Sequence, residues 1–441
     1  PKIDTYPYYE RFNASDGEWI ANPIAGNVWE WADSLVYNNS NRGWTTDSAS
    51  TYPLGRDIFV FSPIFDFTTI EKPLITFKYR VNSRVSDGAV LQHSTDDGQT
   101  WSALGDLTSG LAWYDVDNLV AQPGKQTGFV SFGWSGNSDT DWKVARHKLD
   151  LLKGEPKVRF RFAFASVAGD TSIYDGFAFD DFFIGERQKR VIIENFTNVG
   201  TPNYSLIRDM IYQRLNDNDL DVAMVEYHNG LPANDNFNIF NPADPSGRSL
   251  YYQFSQTGKT VIDGEIYNTI DSATNLDWSQ LDLDLAMLEE PEFNVAIDNF
   301  NINNGTLDIT TTIKARKPLN ATTRKVYIAV VEDDLTLSNR THKSILRKLL
   351  PSSAGTSLTN SWAIGTAQTV TQSWTFNPNE IDATKLNVVV WIQDNNTKKI
   401  YQSTSSALPN IAFDSTVVNT KTPLDNTENM VFNLFPNPNK G

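Results

Sequence analysis

A period of two runs through most of this chain and restricts its fold more than any other feature. LITFKYRV (74–81), AVLQHS (89–94) and KVRFRFAFAS (157–166) alternate apolar and polar residues, with Gly, Asn, Asp and Pro between the runs. Successive side chains of a strand point to opposite faces, so such runs bury one face of a sheet and leave the other wet. Two such sheets close on one another as a β-sandwich. FNVAIDNFNI (293–302), TLDITTTIKA (306–315), KVYIAVVED (325–333) and NVVVWIQD (387–394) repeat the pattern in the last third. The stretch between obeys a different rule. RVIIENFT (190–197) and LDVAMVEYH (220–228) are nearly continuous apolar runs, as strands covered on both faces are. Between them Leu206, Ile207, Met210, Ile211 and Leu215 share one side of a helix. Strand, helix, strand at that spacing predicts a βαβ unit with a parallel sheet. The expected fold is mostly β and multi-domain: a β-sandwich over 1–187, an α/β domain over 188–280 and an immunoglobulin- or fibronectin-like sandwich over 281–408.

Composition narrows the function. A chain of 441 residues exceeds one core, which agrees with several domains. Fifty-three acidic residues against 37 basic ones give a net charge of −16. That field repels nucleic acid and anionic lipid, and it suits hard cations. No apolar run approaches the roughly 20 residues of a membrane-spanning helix. There is no cysteine, which removes thiol nucleophiles, thiolate zinc sites and disulfide exchange.

The end of the chain, FNLFPNPNKG, carries two prolines two residues apart, which fix φ twice and hold the segment extended. Phe435, Pro436, Asn437, Pro438 and Gly441 resemble the opening of the C-terminal sorting domain read by type IX secretion systems of Bacteroidetes. The resemblance implies a secreted or cell-surface protein that passes through the periplasm. It implies the outer-membrane translocon and its shuttle protein as partners. Residues 409–431, rich in Thr, Asn, Asp and Pro, are expected to be a linker, and 432–441 the start of that domain.

The first segment is similar to MAM-like jelly-roll modules common in such cargo. The matching residues are SPIFDF (62–67), DGAVLQHSTDDGQTW (87–101), GWSG (133–136) and DGFAFDDFFIGER (175–187). The resemblance implies a Ca²⁺ held by Glu10, Asp16, Asp180 and Asp181. The second segment resembles the thioredoxin-like domain of an outer-membrane-associated Bacteroidetes family. Its matches are Glu194, Phe196 and Thr197; Tyr227 and His228; Asn241 and Pro242; Arg248, Tyr251 and Tyr252; and Asp263 and Gly264. HKSILRKLLPSSAGTSL (342–358) resembles an insert of the same family.

Where that family carries its two redox cysteines, this chain has Thr201 and Tyr204, and Gly258 replaces the proline beside them. Disulfide exchange needs two thiols, so the domain is expected to be redox-dead. His228 and Glu194, both at C-terminal strand ends, are the one acid–base pair the motifs suggest, but a hydrogen-bonded structural histidine is the preferred reading of His228. STDDGQTW (94–101) fits an Asp-box and predicts a tight turn with tryptophan packed beneath. Trp29, Trp31, Trp44, Trp113, Trp134 and Trp142 lie in loop-like sequence and are candidates either for sugar stacking or for core anchors. The expected role is non-catalytic adhesion or surface interaction, with a surface glycan or protein as ligand. The rivals are a glycan-binding accessory protein acting through the jelly roll and a hydrolase whose site the sequence does not display.

Overall fold

The computed structural model describes residues 2–408 apart from 23–28, 34–41, 49–50, 127–130, 138–140, 170–172, 219, 272–274 and 321. The 409–431 linker and the Phe435 to Gly441 motif lie outside the described residues. The fold is mostly β, in several sheets.

The first segment is a sandwich of two sheets. One runs Lys2–Ile3, Asp57–Phe65, Val158–Ala165, Gly88–Ser94, Phe132–Ser135, Val116–Asp117, with Ile20–Asn22 added beside Asp57–Phe65. The other runs Lys143–Lys148, Pro73–Asn82, Gly176–Glu186, Gly43–Thr45, Glu30–Ala32. The expected alternation is strict in Pro73–Asn82, where buried and half-buried residues take turns along the whole strand. The inward residues are largely aromatic. Phe162 of one sheet stacks on Phe179 of the other with ring centroids 4.1 Å apart, and Trp134 packs edge-on to Phe77. Such pairs add geometric preference to the area they bury.

The central segment is the expected βαβ unit. Val191–Thr197 and Val222–His228 pair in parallel, and helix α1 (Tyr204–Asp217) crosses between them. Every residue of both strands is buried. Helix α2 (Ala243–Tyr251) follows the second strand, and helix α3 (Gln280–Leu288) packs with α1 on one face of the sheet. Helix α3 opens with a capping box in which Ser279 and Asp282 satisfy each other's backbone donors.

The sheet does not end with this unit. Ile345–Leu350 pairs in parallel with Val222–His228 at Glu226 and Ile345, and antiparallel with Arg324–Glu332. The insert-like segment therefore supplies a bridging strand, and one nine-stranded sheet reaches from Glu265–Asn268 to Ile400–Ser405. A three-stranded sheet (Phe293–Asn303, Thr306–Ala315, Ala367–Thr375) closes the second sandwich over a core that includes Ile309, Ile313, Val326, Ile328 and Val390. A separate core gathers Ile192, Phe196 and Tyr227 together with Tyr327, Leu349 and Trp391. Residues on either side of position 280 thus share a sheet and a core.

Helix α2 drives Arg248 into that shared core. Its guanidinium donates to both oxygens of Glu194, at 2.7 and 2.9 Å. The Tyr227 and Tyr252 hydroxyls donate to the same carboxylate at 2.8 and 2.6 Å. The rings of Tyr251, Tyr252, Tyr327 and Trp391 surround the cation.

Charged pairs join the first sandwich to the rest. Asp221 takes Lys72 at 2.8 Å and Arg187 at 2.7 Å. Lys148 and Arg146 of the edge strand Lys143–Lys148 reach Asp284 of α3 (2.7 Å) and Glu290 (2.5 Å), so the helix covers that edge. Where the chain leaves the first sandwich it meets its own later course. Gln402 accepts from the Arg190 amide at 2.8 Å and donates to the Gln188 carbonyl at 2.8 Å, and Arg190 Nη1 donates to Thr404 at 3.0 Å.

Candidate functional site

The strand Asp57–Phe65 carries aromatic or aliphatic residues in both phases. Ile58 and Val60 point into the core, so Phe59 and Phe61 stand on the outer face. The neighbouring Val158–Ala165 puts Phe160 and Phe162 inward and Arg159 and Arg161 outward. Register places Arg161 opposite Phe61 on one side and Gln92 on the other. The Asp-box turn completes the face. Asp96 accepts from the Thr100 amide (2.9 Å) and hydroxyl (2.6 Å), which pins the turn. Gly98 has φ 86°, and a Cβ there would meet the Trp101 ring at 3.3 Å. Trp101 is thereby held over the sheet, its indole N–H donating to the Gly98 carbonyl at 3.0 Å.

The result is a layered stack. Arg161 Cζ lies 4.3 Å from the Phe59 ring centre and 4.3 Å from that of Trp101, and Arg159 Cζ lies 5.4 Å from Phe61. All five side chains are partly exposed, and Ile20 beside Phe61 is 52 % exposed. The face offers cations on an aromatic floor and no deep cleft. Of the six tryptophans that were candidates for sugar stacking, Trp29, Trp44, Trp113 and Trp134 are core residues, at most 5 % exposed. Trp31 is half-buried beneath Arg42 and Trp142 is half-buried. Phe59, Phe61, Arg159 and Arg161 went unnoticed in the sequence. The available signal was an aromatic pair out of phase with the core residues of its own strand.

Thr201 lies in the turn before α1 and Tyr204 is the first residue of the helix. The Tyr204 hydroxyl donates to Glu226 at 3.0 Å and lies 3.0 Å from His342 Nδ1. Glu226 also meets His228 Nε2 at 2.9 Å, and His228 Nδ1 meets Asp235 at 2.8 Å. Burial alone would depress His228. The hydrogen bonds to Asp235 and Glu226 outweigh it and raise the imidazole to about 9, so it is charged at neutral pH. Gly258 has φ 82°, and its amide donates to the Phe196 carbonyl at 2.8 Å. His228 is the hydrogen-bonded structural histidine of the preferred reading, bound to Glu226 and Asp235, and it forms no pair with Glu194, which belongs to Arg248. Tyr204, Glu226, His228, Asp235 and His342 are all buried. The Tyr204 phenol and the His228 imidazole both bond Glu226, His228 also bonds Asp235, and His342 lies against the phenol. His342, isolated in the sequence, arrives there on the hairpin Leu335–Leu337/Arg340–His342.

The four acidic residues expected to bind calcium do not act as one set. Asp181 pairs with Lys78 (2.9 Å) and accepts from the Tyr9 hydroxyl (2.8 Å). Asp16 lies in an exposed turn and accepts from the Glu18 amide at 2.9 Å. Glu10 accepts from the Phe12 amide at 2.7 Å. Asp180 is buried, and burial, then the charges of Asp181 and Glu10, push its carboxyl up to about 8. Burial also raises Glu10, against backbone hydrogen bonds from Phe12 and Arg11, and Asp180 accepts from the Asp181 amide at 2.7 Å, so each of the four has partners within the protein. Among the described residues no group of three acidic or histidine side chains converges on a metal position.

No known protein-family profile matches the chain, and no curated protein does. Among solved structures it is similar to HBP35 of Porphyromonas gingivalis, at 11% identity and a TM-score of 0.41, over 52% of this chain and 82% of that one. A domain of the outer membrane lipoprotein Omp28 from Porphyromonas gingivalis is similar at 14% identity and a TM-score of 0.21, over 28% and 92% of the two chains. The K1 cleaved adhesin domain of Lys-gingipain from Porphyromonas gingivalis W83 is similar at 13% identity and a TM-score of 0.24, over 42% and 100%.

Proposed function

We propose that this chain is a non-catalytic surface protein that adheres through the outer face of its N-terminal sandwich. The observation that carries the reading is the stack of Arg161 between Phe59 and Trp101 on an open sheet face. Cations fixed on aromatic rings lose little freedom when a ligand arrives. The buried Tyr204–Glu226–His228 cluster supports the non-catalytic part, since its hydrogen-bonding groups are spent on one another. Export by type IX secretion, with the translocon and shuttle protein as partners, rests on the resemblance of Phe435, Pro436, Asn437, Pro438 and Gly441. The structural Ca²⁺ that the jelly-roll resemblance implies at Glu10, Asp16, Asp180 and Asp181 belongs to the same proposal and rests on that resemblance.

Beads coated with the chain are expected to adhere to mucin-coated glass under flow. Beads carrying Phe61→Ala and Trp101→Ala together should detach at markedly lower flow, with the melting temperature showing the variant still folded. Equal adhesion by both would remove this face from the function.

A further inference from the structure

We propose that this outer face binds an acidic polysaccharide, gripping successive anionic groups with the guanidinium edges of Arg159 and Arg161. The inference rests on the adhesive reading of the face and specifies its ligand. Each arginine is tethered through Nε: Arg159 to the Ser62 carbonyl at 3.0 Å, Arg161 to Gln92 Oε1 at 2.7 Å. Among the described residues, nothing accepts a hydrogen bond from their Nη atoms, and neither arginine is within ion-pair distance of a carboxylate. The edge that remains is the one whose paired N–H groups match a carboxylate or sulfate.

The aromatic rings make these edges a prepared site. Phe59 and Trp101 sandwich Arg161, and Phe61 supports Arg159, so both planes are set before binding. Burial lowers Arg161 to about 10, against the opposing pull of Asp57, which leaves it charged at neutral pH. Two cations side by side, with Asp57 near Arg161 but no described carboxylate at ion-pair distance from either, give an anion local attraction in a chain of net charge −16.

Geometry favours a polymer over a small ion. Arg159 and Arg161 are two residues apart on one strand, so their Cα atoms are about 7 Å apart along it, suited to charges that repeat. The face is an open sheet. Phe61 and Ile20 add apolar surface on which the C–H face of a sugar ring can lie. That surface favours a saccharide over an acidic peptide.

Affinity electrophoresis of the full chain through gels holding alginate, neutral dextran or poly-L-glutamate tests the proposal. Alginate should retard the chain and dextran should not, and raising salt to molar levels should release it. Arg159→Gln with Arg161→Gln should weaken alginate binding at least tenfold. Arg161→Lys should weaken it several-fold, since it keeps the charge and loses the planar fork. Unchanged melting temperatures would show that both variants fold, and the lysine variant serves alone if the double variant does not. Equal retardation by dextran, or by poly-L-glutamate, overturns the acidic-polysaccharide assignment, as does no retardation by alginate. If alginate fails while adhesion to mucin still depends on Phe61 and Trp101, the ligand assignment falls and the adhesive face stands.

Discussion

At the scale of single residues, two buried titratable groups set opposite pH responses. His228 is raised from 6.5 to about 9 by Asp235 and Glu226 against the cost of burial. Its stabilisation is complete below pH 6.5 and is lost as pH rises through 9. The stability gap between the natural chain and His228→Gln should therefore shrink by about 3 kcal/mol between roughly pH 6 and 10, read from urea unfolding. A gap that does not change with pH would show the imidazole to be neutral. Asp180 carries the reverse burden. Its carboxyl rises from 3.8 to about 8, so the fold resists its ionisation, and stability falls as pH climbs through that window. Asp180→Asn should melt higher than the natural chain at about pH 8 in chelator, and the order should invert on adding Ca²⁺ if Glu10 and Asp180 hold the ion. Sequence alone marked Asp180 and His228 as notable but not what they face. Glu226 is two residues from His228 on the same strand, but Asp235 comes from the following turn and the Lys78 charge near Asp180 from a neighbouring strand, and charge compensation is a property of the folded arrangement.

At the scale of elements, Glu194, Tyr227, Arg248 and Tyr252 are architectural. Arg248→Leu would leave Glu194 buried without its cation, at a cost of about 3–5 kcal/mol in chemical denaturation. Adding Glu194→Gln should recover part of that loss, because the stranded charge is then gone. A single Arg248→Leu change of under about 1 kcal/mol would mean that the aromatic rings, not the ion pair, hold α2 in place. The strands and α1 were legible because period and burial coincide: alternation for Pro73–Asn82, unbroken apolar runs for Val191–Thr197 and Val222–His228. The bridging strand Ile345–Leu350 was not. Its sequence reads as an insert, and only pairing with Val222–His228 on one side and Arg324–Glu332 on the other reveals its place. The outer face of the first sandwich was half legible. KVRFRFAFAS shows two arginines out of phase with the core, but nothing in the string says that Phe59 and Trp101 flank one of them.

At the scale of the whole molecule, residues 188–408 form one packing unit. Tyr227 and Trp391 lie in the same core, so a fragment of residues 188–280 would expose the apolar face that Tyr327, Leu349 and Trp391 cover. That fragment should fail to give dispersed NMR spectra, whereas residues 188–408 should melt in a single transition by calorimetry. A folded 188–280 fragment would show the shared core to be dispensable. The contacts of Gln188 and Arg190 with Gln402 and Thr404 have a further meaning under force applied between the first sandwich and residue 408. Tension arriving from the first sandwich at Gln188 can pass straight across to Gln402 and on toward Leu408. The intervening strands and helices then bear only what the ion pairs at Asp221, Asp284 and Glu290 pass to them, like a coil of rope bypassed by a shackle. In a single-molecule pull between the sandwich and residue 408, the short shackle should yield first, and the long coil should pay out only afterwards. An initial extension matching unfolding of the sandwich instead would place the weak link there.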